Sequence, residues 1–468
     1  MAGIFVSAAH KSSGKTTIAL ALAAALAARG LRVQPFKKGP DYIDPTWLAR
    51  AAGRPCLNLD PYLSGDDAIA QCVAAHAADA DLALVEGNKG LYDGLALDGS
   101  NCNATLARTL GLPVVLVIDA RGMTRGIAPL ILGYQAFDRG VNIAGVILNQ
   151  LGGARHEAKL RAVIEHYTDV PVLGAVAHDA RLAMPERHLG LQPDGETDDA
   201  AARVRSIGAV VAAQVDLGRL LAVAETARPF AAVRSARPEP RSAAGRPLRI
   251  GIARDKAFGF YYPDDLAALQ AAGARLLPFD TLHDARLPEA LDGVFIGGGF
   301  PELFAAELEA NAPLRGELRE AIDDGLPVHA ECGGLMYLAR SIEWNGRRRA
   351  MVGALPGDAV MDPRPVGRGY VHLEATADHP WAACGAGLRA HEFHHSRLVG
   401  LPPGARFAYR VTRGHGIDGA HDGLVHRNVL ASYAHLRGAT GTDWPTRFVD
   451  FVRDSAARRR RAAEALAA

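Results

Sequence analysis

An apolar strand runs directly into Ala9-His10-Lys11-Ser12-Ser13-Gly14-Lys15-Thr16-Thr17 and then into an alanine-rich stretch at 18–28, and this junction restricts the fold more than any other feature. Strand, glycine-bearing loop and helix is the order a phosphate loop requires. Backbone N–H groups and the helix N-terminus face the phosphates, a lysine offsets the β/γ-phosphate charge, and the next hydroxyl ligates Mg²⁺. Ser12, Ser13, Gly14, Lys15, Thr16 and Thr17 are therefore expected to bind ATP, with Thr16 also a Mg²⁺ ligand. Ala9 stands where a glycine usually opens such a loop. The 18–28 run, preceded by Lys11 and Lys15, also imitates a secretory signal. Its abutment on Gly14-Lys15-Thr16 explains it as the phosphate-loop helix instead. No stretch reaches the ~20 apolar residues that span a membrane.

The first half supplies the parallel α/β sheet that such a loop needs. Short apolar runs at 3–8, 32–36, 82–86, 114–118, 144–148 and 172–176 alternate with helical patterns, as in sheets buried on both faces. Residues 225–247, rich in Pro, Arg, Ser and Ala, then break the pattern and read as a linker. A second α/β unit opens with strands at 248–253, 293–296 and 327–330. The organisation is thus 1–224 for the nucleotide unit, 225–247 for the linker, 248–446 for the second unit, and a helical tail at 447–468. That tail carries the arginine run 458–461, which reads as a solvated helical face.

Two further segments belong to the phosphate loop. Lys37-Lys38-Gly39-Pro40-Asp41-Tyr42-Ile43-Asp44-Pro45 follows the second strand, at the edge where parallel sheets bind ligands. Asp41 there is a candidate Mg²⁺ ligand, direct or through water; the segment also reads as a turn with a helix cap. Glu86 ends the apolar third strand, and a carboxylate in that position needs a partner. A second Mg²⁺ contact or a salt bridge to a nearby lysine would serve. Gly87, Gly90 and Gly94 suggest backbone lying close to a ligand.

The second unit carries different chemistry. Pro327 to Leu335 runs strand, Cys332, two glycines, helix, the arrangement of a nucleophile elbow beside a helix N-terminus. The glycine-rich turn at 297–299, with Gly298 and Gly299, and Gly333 behind the cysteine are expected to aim N–H groups at an oxyanion. A cysteine nucleophile needs a base, and His435 in Ser-Tyr-Ala-His-Leu is the best placed. His391, His394 and His395 are rival bases; their H-E-F-H-H spacing does not fit the helical zinc pattern. Cys56, Cys72, Cys102 and Cys384 lack an elbow and read as packing residues. Five cysteines without a C-x-x-C pair point to a reducing cytoplasm rather than a disulfide framework. With 52 basic against 51 acidic side chains, no global field selects nucleic acid or an anionic membrane.

Taken together, S-S-G-K-T-T, Q-P-F-K-K-G-P-D-Y-I-D-P, N-L-D, E-G-x-x-G-L-Y-D-G, P-E-R-H-L-G-L, F-Y-Y-P-D-D-L, I-G-G-G-F-P-E, A-E-C-G-G-L-M-Y-L and S-Y-A-H-L resemble the cobyrinic acid a,c-diamide synthases along nearly the whole chain. The resemblance implies a dethiobiotin-synthetase-like P-loop domain followed by a class I, flavodoxin-like glutamine amidotransferase domain. It implies that ATP phosphorylates a side-chain carboxylate of a tetrapyrrole, that ammonia freed from glutamine displaces the phosphate, and that this happens at the a and c positions. Cys332 would be the nucleophile and His435 its base, with no acidic third member assigned. Lys15, Thr16, Asp41 and Glu86 would handle Mg-ATP, and Asn149 would touch adenine. Tyr42, Asp44 and Asp93 would orient the substrate carboxylate. A cytoplasmic homodimer using glutamine and a tetrapyrrole polycarboxylate, with neither nucleic acid nor membrane as partner, is the expected setting.

The chain departs from the family at Asn88-Lys89, where corrin-forming members commonly carry an apolar pair, and at the start of the phosphate loop. The same pattern is similar to a sister group that amidates siroheme, and it does not separate cobyrinate from hydrogenobyrinate. A regulatory P-loop ATPase is the remote alternative. Such proteins carry a signature lysine at a set place in the loop; here His10 stands five residues before Lys15, Lys11 is offset by one, and the Cys332 elbow would have no use.

Overall fold

The computed structural model describes residues 2–187, 190–228, 246–438 and 443–467, without the side chains of Arg187, Gly190 and 462–467. Residues 229–245 of the expected linker, and His188-Leu189 of P-E-R-H-L-G-L, lie outside the described residues. The chain divides into two compact units, Met1–Arg237 and Pro238–Ala468.

The first unit is built on a seven-stranded, all-parallel sheet. Its strands are β1 (Ala2–Ala8), β2 (Val33–Lys38), β3 (Leu57–Leu59), β4 (Leu82–Glu86), β5 (Val114–Asp119), β6 (Ile143–Leu151) and β7 (Val172–Ala177), in the order β3-β2-β4-β1-β5-β6-β7. Continuous burial along β2 and β4 reflects helices on both faces. Helix α1 (Lys15–Ala28) lies on one face with α2 (Asp44–Ala52); residues of 66–77, 127–137 and 154–167 cover the other. Almost all of α1 is buried, because the helix Ala200–Ala212 closes over it. The two come so close that a Cβ on Gly208 would stand 2.9 Å from that of Ala24. The alanine-rich run is therefore a core helix, and no described helix is long and apolar enough to cross a membrane. Short β3, absent from the sequence reading, extends the sheet beyond β2.

The second unit has a nine-stranded mixed sheet. Strands Ala274–Phe279, Leu248–Ala253, Gly293–Ile296, Val328–Glu331 and Val429–Ser432 are parallel neighbours in that order. Four antiparallel strands then extend it: His421–His426, Arg406–Arg413, Gly367–Ala375 and Gly387–His394. Helix Trp444–Ala467 is more than a tail. Trp444, Phe448, Val449 and Val452 are almost wholly buried in the core under the parallel strands. Within the arginine run, Arg459 donates to the Asp292 carbonyl at 2.9 Å.

Candidate functional site

In the first unit, three adjacent strands bring the polar groups together. Register places Val6 of β1 and Lys37 of β2 on either side of Glu86. Loop 9–14 leaves β1 at the carboxyl edge, with Ser12 (φ 67°) and Gly14 (φ 83°) both left-handed. Ala9 is not among the residues with positive φ, so an alanine fits where a glycine is usual. The Ser13 hydroxyl donates to the His10 carbonyl at 2.8 Å, and Thr17 sits half-buried at the start of α1.

Lys15 Nζ donates to Glu86 Oε1 at 2.6 Å, Thr16 Oγ1 donates to the same oxygen at 2.6 Å, and Lys37 Nζ reaches it at 2.9 Å. Burial alone would raise the Glu86 carboxyl, but Lys15 and Lys37 hold it down at about 2. Burial lowers the Lys15 ammonium against the pull of Glu86. Sequence reasoning passed over Lys37, although two lysines ending a buried strand are as conspicuous as Glu86. Lys38 is similarly buried, which brings its ammonium down to about 8.

The other expected residues of this unit make the following contacts. Asp44, expected beside the substrate carboxylate, accepts from Lys37 Nζ at 2.5 Å and Thr16 Oγ1 at 3.2 Å, so it also meets the phosphate-loop cluster. It does so because α2 begins at Asp44 and turns its first residue inward. Asp41 does cap: its Oδ1 accepts from the N–H groups of Ile43 and Asp44, at 2.9 and 3.0 Å. Its Oδ2 faces Lys37 at 4.0 Å. Burial, with Asp44 alongside, lifts the Asp41 carboxyl to about 6. Asn58 of N-L-D holds this loop by donating to the carbonyls of Gly39 and Asp41. Asn149 lies inside β6 rather than after its strand. Its amide packs against Gly14 and donates to the Ser13 carbonyl at 2.9 Å, bracing the phosphate loop. Asp93 closes a turn by accepting from Gly90 N at 2.9 Å, and Tyr42 is half-buried in the 39–43 loop.

Among the described residues, no three His, Cys, Asp or Glu side chains gather closely enough to hold a metal alone. Mg²⁺ takes one or two carboxylates and completes its shell with phosphate oxygens and water. Glu86 Oε2 is buried with no hydrogen-bond partner among the described residues. An unmatched hard oxygen donor beside Thr16 and Asp44 fits such an ion.

The second site uses the same logic of adjacent parallel strands. Cys332 follows strand Val328–Glu331 at φ 48°, ψ −100°, a strained backbone for a residue with a side chain, and opens helix Gly333–Leu338. Its N–H donates to the Ser432 carbonyl at 2.7 Å. The double glycine is a steric requirement. A Cβ on Gly334 would lie 2.3 Å from the Ile296 carbonyl oxygen, and one on Gly333 would lie 3.0 Å from Gly299 N. Gly334→Ala should cost about 1–3 kcal/mol through overpacking and displace the elbow, read as a lower melting temperature with loss of glutamine hydrolysis. Gly298 lies directly under the His435 ring, where a Cβ would stand 2.6 Å from Cε1. Gly298 and Gly299 pair with Phe260 and Phe258 in a small antiparallel ladder.

His435 shares a hydrogen bond with the Cys332 side chain. Burial disfavours its charged form, yet Cys332 and Glu331 together carry its pKa up to about 10. The rival histidines are occupied otherwise. His391 pairs with His435 through the backbone, and burial, then the His435 charge, keeps its ring neutral, at about 3. His394 stacks on Tyr433 with centroids 3.8 Å apart and Nδ1 2.8 Å from the Ser396 carbonyl. His395 Nδ1 lies 3.3 Å from the Asp362 carbonyl. A carboxylate absent from the sequence reading, Glu331, stands with Oε2 3.4 Å from His435 Nδ1. The rule that singled out Glu86, a charge ending a buried strand, applies equally to Glu331.

Comparison with known proteins agrees with this pairing of sites. Residues 4–191 match the CobQ/CobB/MinD/ParA nucleotide binding domain, and residues 249–440 match the CobB/CobQ-like glutamine amidotransferase domain. Fold, site and these matches define a glutamine-dependent, ATP-using amide ligase. A cobyrinate a,c-diamide synthase from Magnetococcus marinus is 46% identical over 457 residues, covering 96% of this chain and 97% of its own. Those from Methanosarcina acetivorans (43%, covering 93% and 92%) and Dehalococcoides mccartyi (40%, covering 95% and 97%) are similar along the same span. The chain belongs to the cobyrinate a,c-diamide synthase family.

Proposed function

We propose that this chain amidates the a and c side-chain carboxylates of cobyrinate, using ATP and glutamine and passing through a phosphorylated carboxylate. The observation that carries this reading is the alignment with synthases of that name along 96% of the chain.

In the first unit, Lys15 and the loop N–H groups of 12–14 hold the phosphates, and Asn149 keeps the loop in shape. A substrate carboxylate oxygen attacks the γ-phosphorus, ADP departs, and an acyl phosphate forms. Thr16, Asp44, Glu86 and Asp41 would hold Mg²⁺, which offsets phosphate charge when bound. Tyr42 and Asp93, with Asn88 and Lys89, bound the acceptor side. In the second unit, the Cys332 thiolate attacks the glutamine side-chain carbonyl while N–H groups of Gly298, Gly299 and Gly333 stabilise the oxyanion. His435 gives its proton to the leaving ammonia, and water then releases glutamate from the thioester. Ammonia attacks the acyl phosphate, phosphate leaves, and the amide remains.

Siroheme is the second reading, favoured by Asn88-Lys89. Asn88 Oδ1 accepts from Lys38 at 3.3 Å, and Lys89 is exposed on left-handed backbone (φ 44°), so this loop presents polar groups. Supplying each macrocycle with ATP, Mg²⁺ and glutamine and following product mass decides between them. Two amide groups gained on cobyrinate are expected; gain on siroheme alone would transfer the assignment. A homodimer in the cytoplasm belongs to the same proposal, and a monomer mass in sedimentation would remove that part of it.

A further inference from the structure

We propose that Glu331 is the positioning residue of the glutaminase site, its carboxylate orienting the His435 ring so that Nε2 takes the Cys332 thiol proton. The inference rests on the reading of Cys332 as nucleophile and goes beyond the two-residue site expected for this family.

The backbone of His435 is already held. Its N–H donates to the His391 carbonyl at 2.7 Å, and Asp422 accepts from the N–H groups of Tyr433 and Ala434 just before it, at 3.0 and 2.9 Å. These backbone bonds do not set the rotation of the ring, which its side-chain neighbours must fix. Gly298 leaves room on one side of the ring, and Glu331 Oε2 faces Nδ1 at 3.4 Å on the other. With Nδ1 turned to the carboxylate, Nε2 is the nitrogen left for the thiol.

Glu331 is itself fixed in place. It is only 3% exposed, and Oε1 accepts from Leu436 N at 2.9 Å and lies 3.3 Å from His329 Nε2. His329 in turn is wholly buried and stacks on Phe295. The Leu436 contact ties the carboxylate to the residue that follows the base. Because Glu331 directly precedes Cys332, one strand end sets both the nucleophile and the group that aims its base. A buried carboxylate is costly without partners.

The chemistry balances without another reactant. The thiol proton moves to Nε2, the sulfur bonds to the glutamine side-chain carbon, and the proton leaves on ammonia when the carbon–nitrogen bond breaks. Glu331 stays ionised and stabilises the imidazolium between those events. The charged and titratable groups facing the ring are Glu331, Cys332 and His391, with His329 behind Glu331.

The test compares Glu331→Gln, Glu331→Asp and Cys332→Ala in the full chain. Glutamine-dependent and ammonia-dependent synthesis are measured, with the pH profile of Cys332 alkylation by iodoacetamide read on its peptide. Glu331→Gln should lower glutamine-dependent kcat by about 10²-fold, the scale of a lost general-base contribution. The KM for glutamine and the ammonia-dependent rate should hold, and the alkylation profile should move to higher pH. A wild-type kcat, a loss confined to KM, or an unmoved alkylation profile would overturn the proposal. Where Glu331→Gln does not fold, Glu331→Asp decides, since it keeps the charge but withdraws it from His435. There a wild-type kcat overturns the proposal, and a reduced kcat with the alkylation shift supports it. Should Cys332→Ala retain glutamine-dependent synthesis, the reading beneath this inference fails. Should Cys332→Ala be inactive while Glu331→Gln is fully active, only the inference fails.

Discussion

Replacing Cys332 with alanine is expected to abolish glutamine-dependent synthesis, by at least roughly 10³-fold, while synthesis from free ammonia continues near the wild-type rate. The argument is one of separated chemistry. In that proposal glutamine hydrolysis uses the sulfur that the elbow holds beside His435. In the proposed scheme, phosphorylation of the acceptor uses groups of the first unit, and each unit has its own core. Alanine also relieves nothing and crowds nothing at this position, since the Cβ remains and only sulfur is lost. Steady-state rates with glutamine and with ammonium chloride, measured on the same preparation, give the answer. Loss of both activities would mean that Cys332 contributes to acyl activation or to the integrity of the whole chain.

Lys15→Ala should fail with either nitrogen source, by roughly 10²–10³-fold, the scale for removing one preorganised charge from a transition state. Lys15 is the phosphate-loop cation that faces Glu86 at 2.6 Å. Its removal leaves Glu86 paired with Lys37 at 2.9 Å, so the buried carboxylate keeps a partner and the fold should survive. That survival makes the variant informative, because lost activity then reports on phosphate charge rather than unfolding. Glutamine hydrolysis without ATP provides the internal control. A Lys15→Ala enzyme that still makes amide from ammonia would displace this loop from the activation step.

The two results together would separate a nitrogen-supplying half from an acyl-activating half. They would also bear on the choice of macrocycle, since both variants can be run on either acceptor.

The features legible in the sequence share one property: each is contiguous. Strand, loop and helix at 3–28, and strand, cysteine and glycines at 327–335, are specified by neighbours along the chain. The left-handed backbone at Gly14 and the missing side chains at Gly333 and Gly334 are local demands that residue type can announce. Glu86 was visible for a related reason, because a charge at the end of a buried strand must be answered somewhere.

What answers it is not local. Lys37 reaches Glu86 only because β2 and β4 are neighbours in register, an arrangement set by sheet order rather than by sequence distance. Asp44 meets Thr16 because α2 begins at it, and Asn149 reaches the Ser13 carbonyl because β6 runs on beneath Gly14. The antiparallel extension and the core role of helix Trp444–Ala467 depend on which apolar faces find each other once the parallel strands have assembled. The sequence by itself determined the two phosphate- and sulfur-bearing junctions and hence the class of chemistry. Only the tertiary structure decided that Glu331 meets His435, since strands 328–331 and 429–432 must first pair before a carboxylate beside the nucleophile can face a base supplied from much later in the chain.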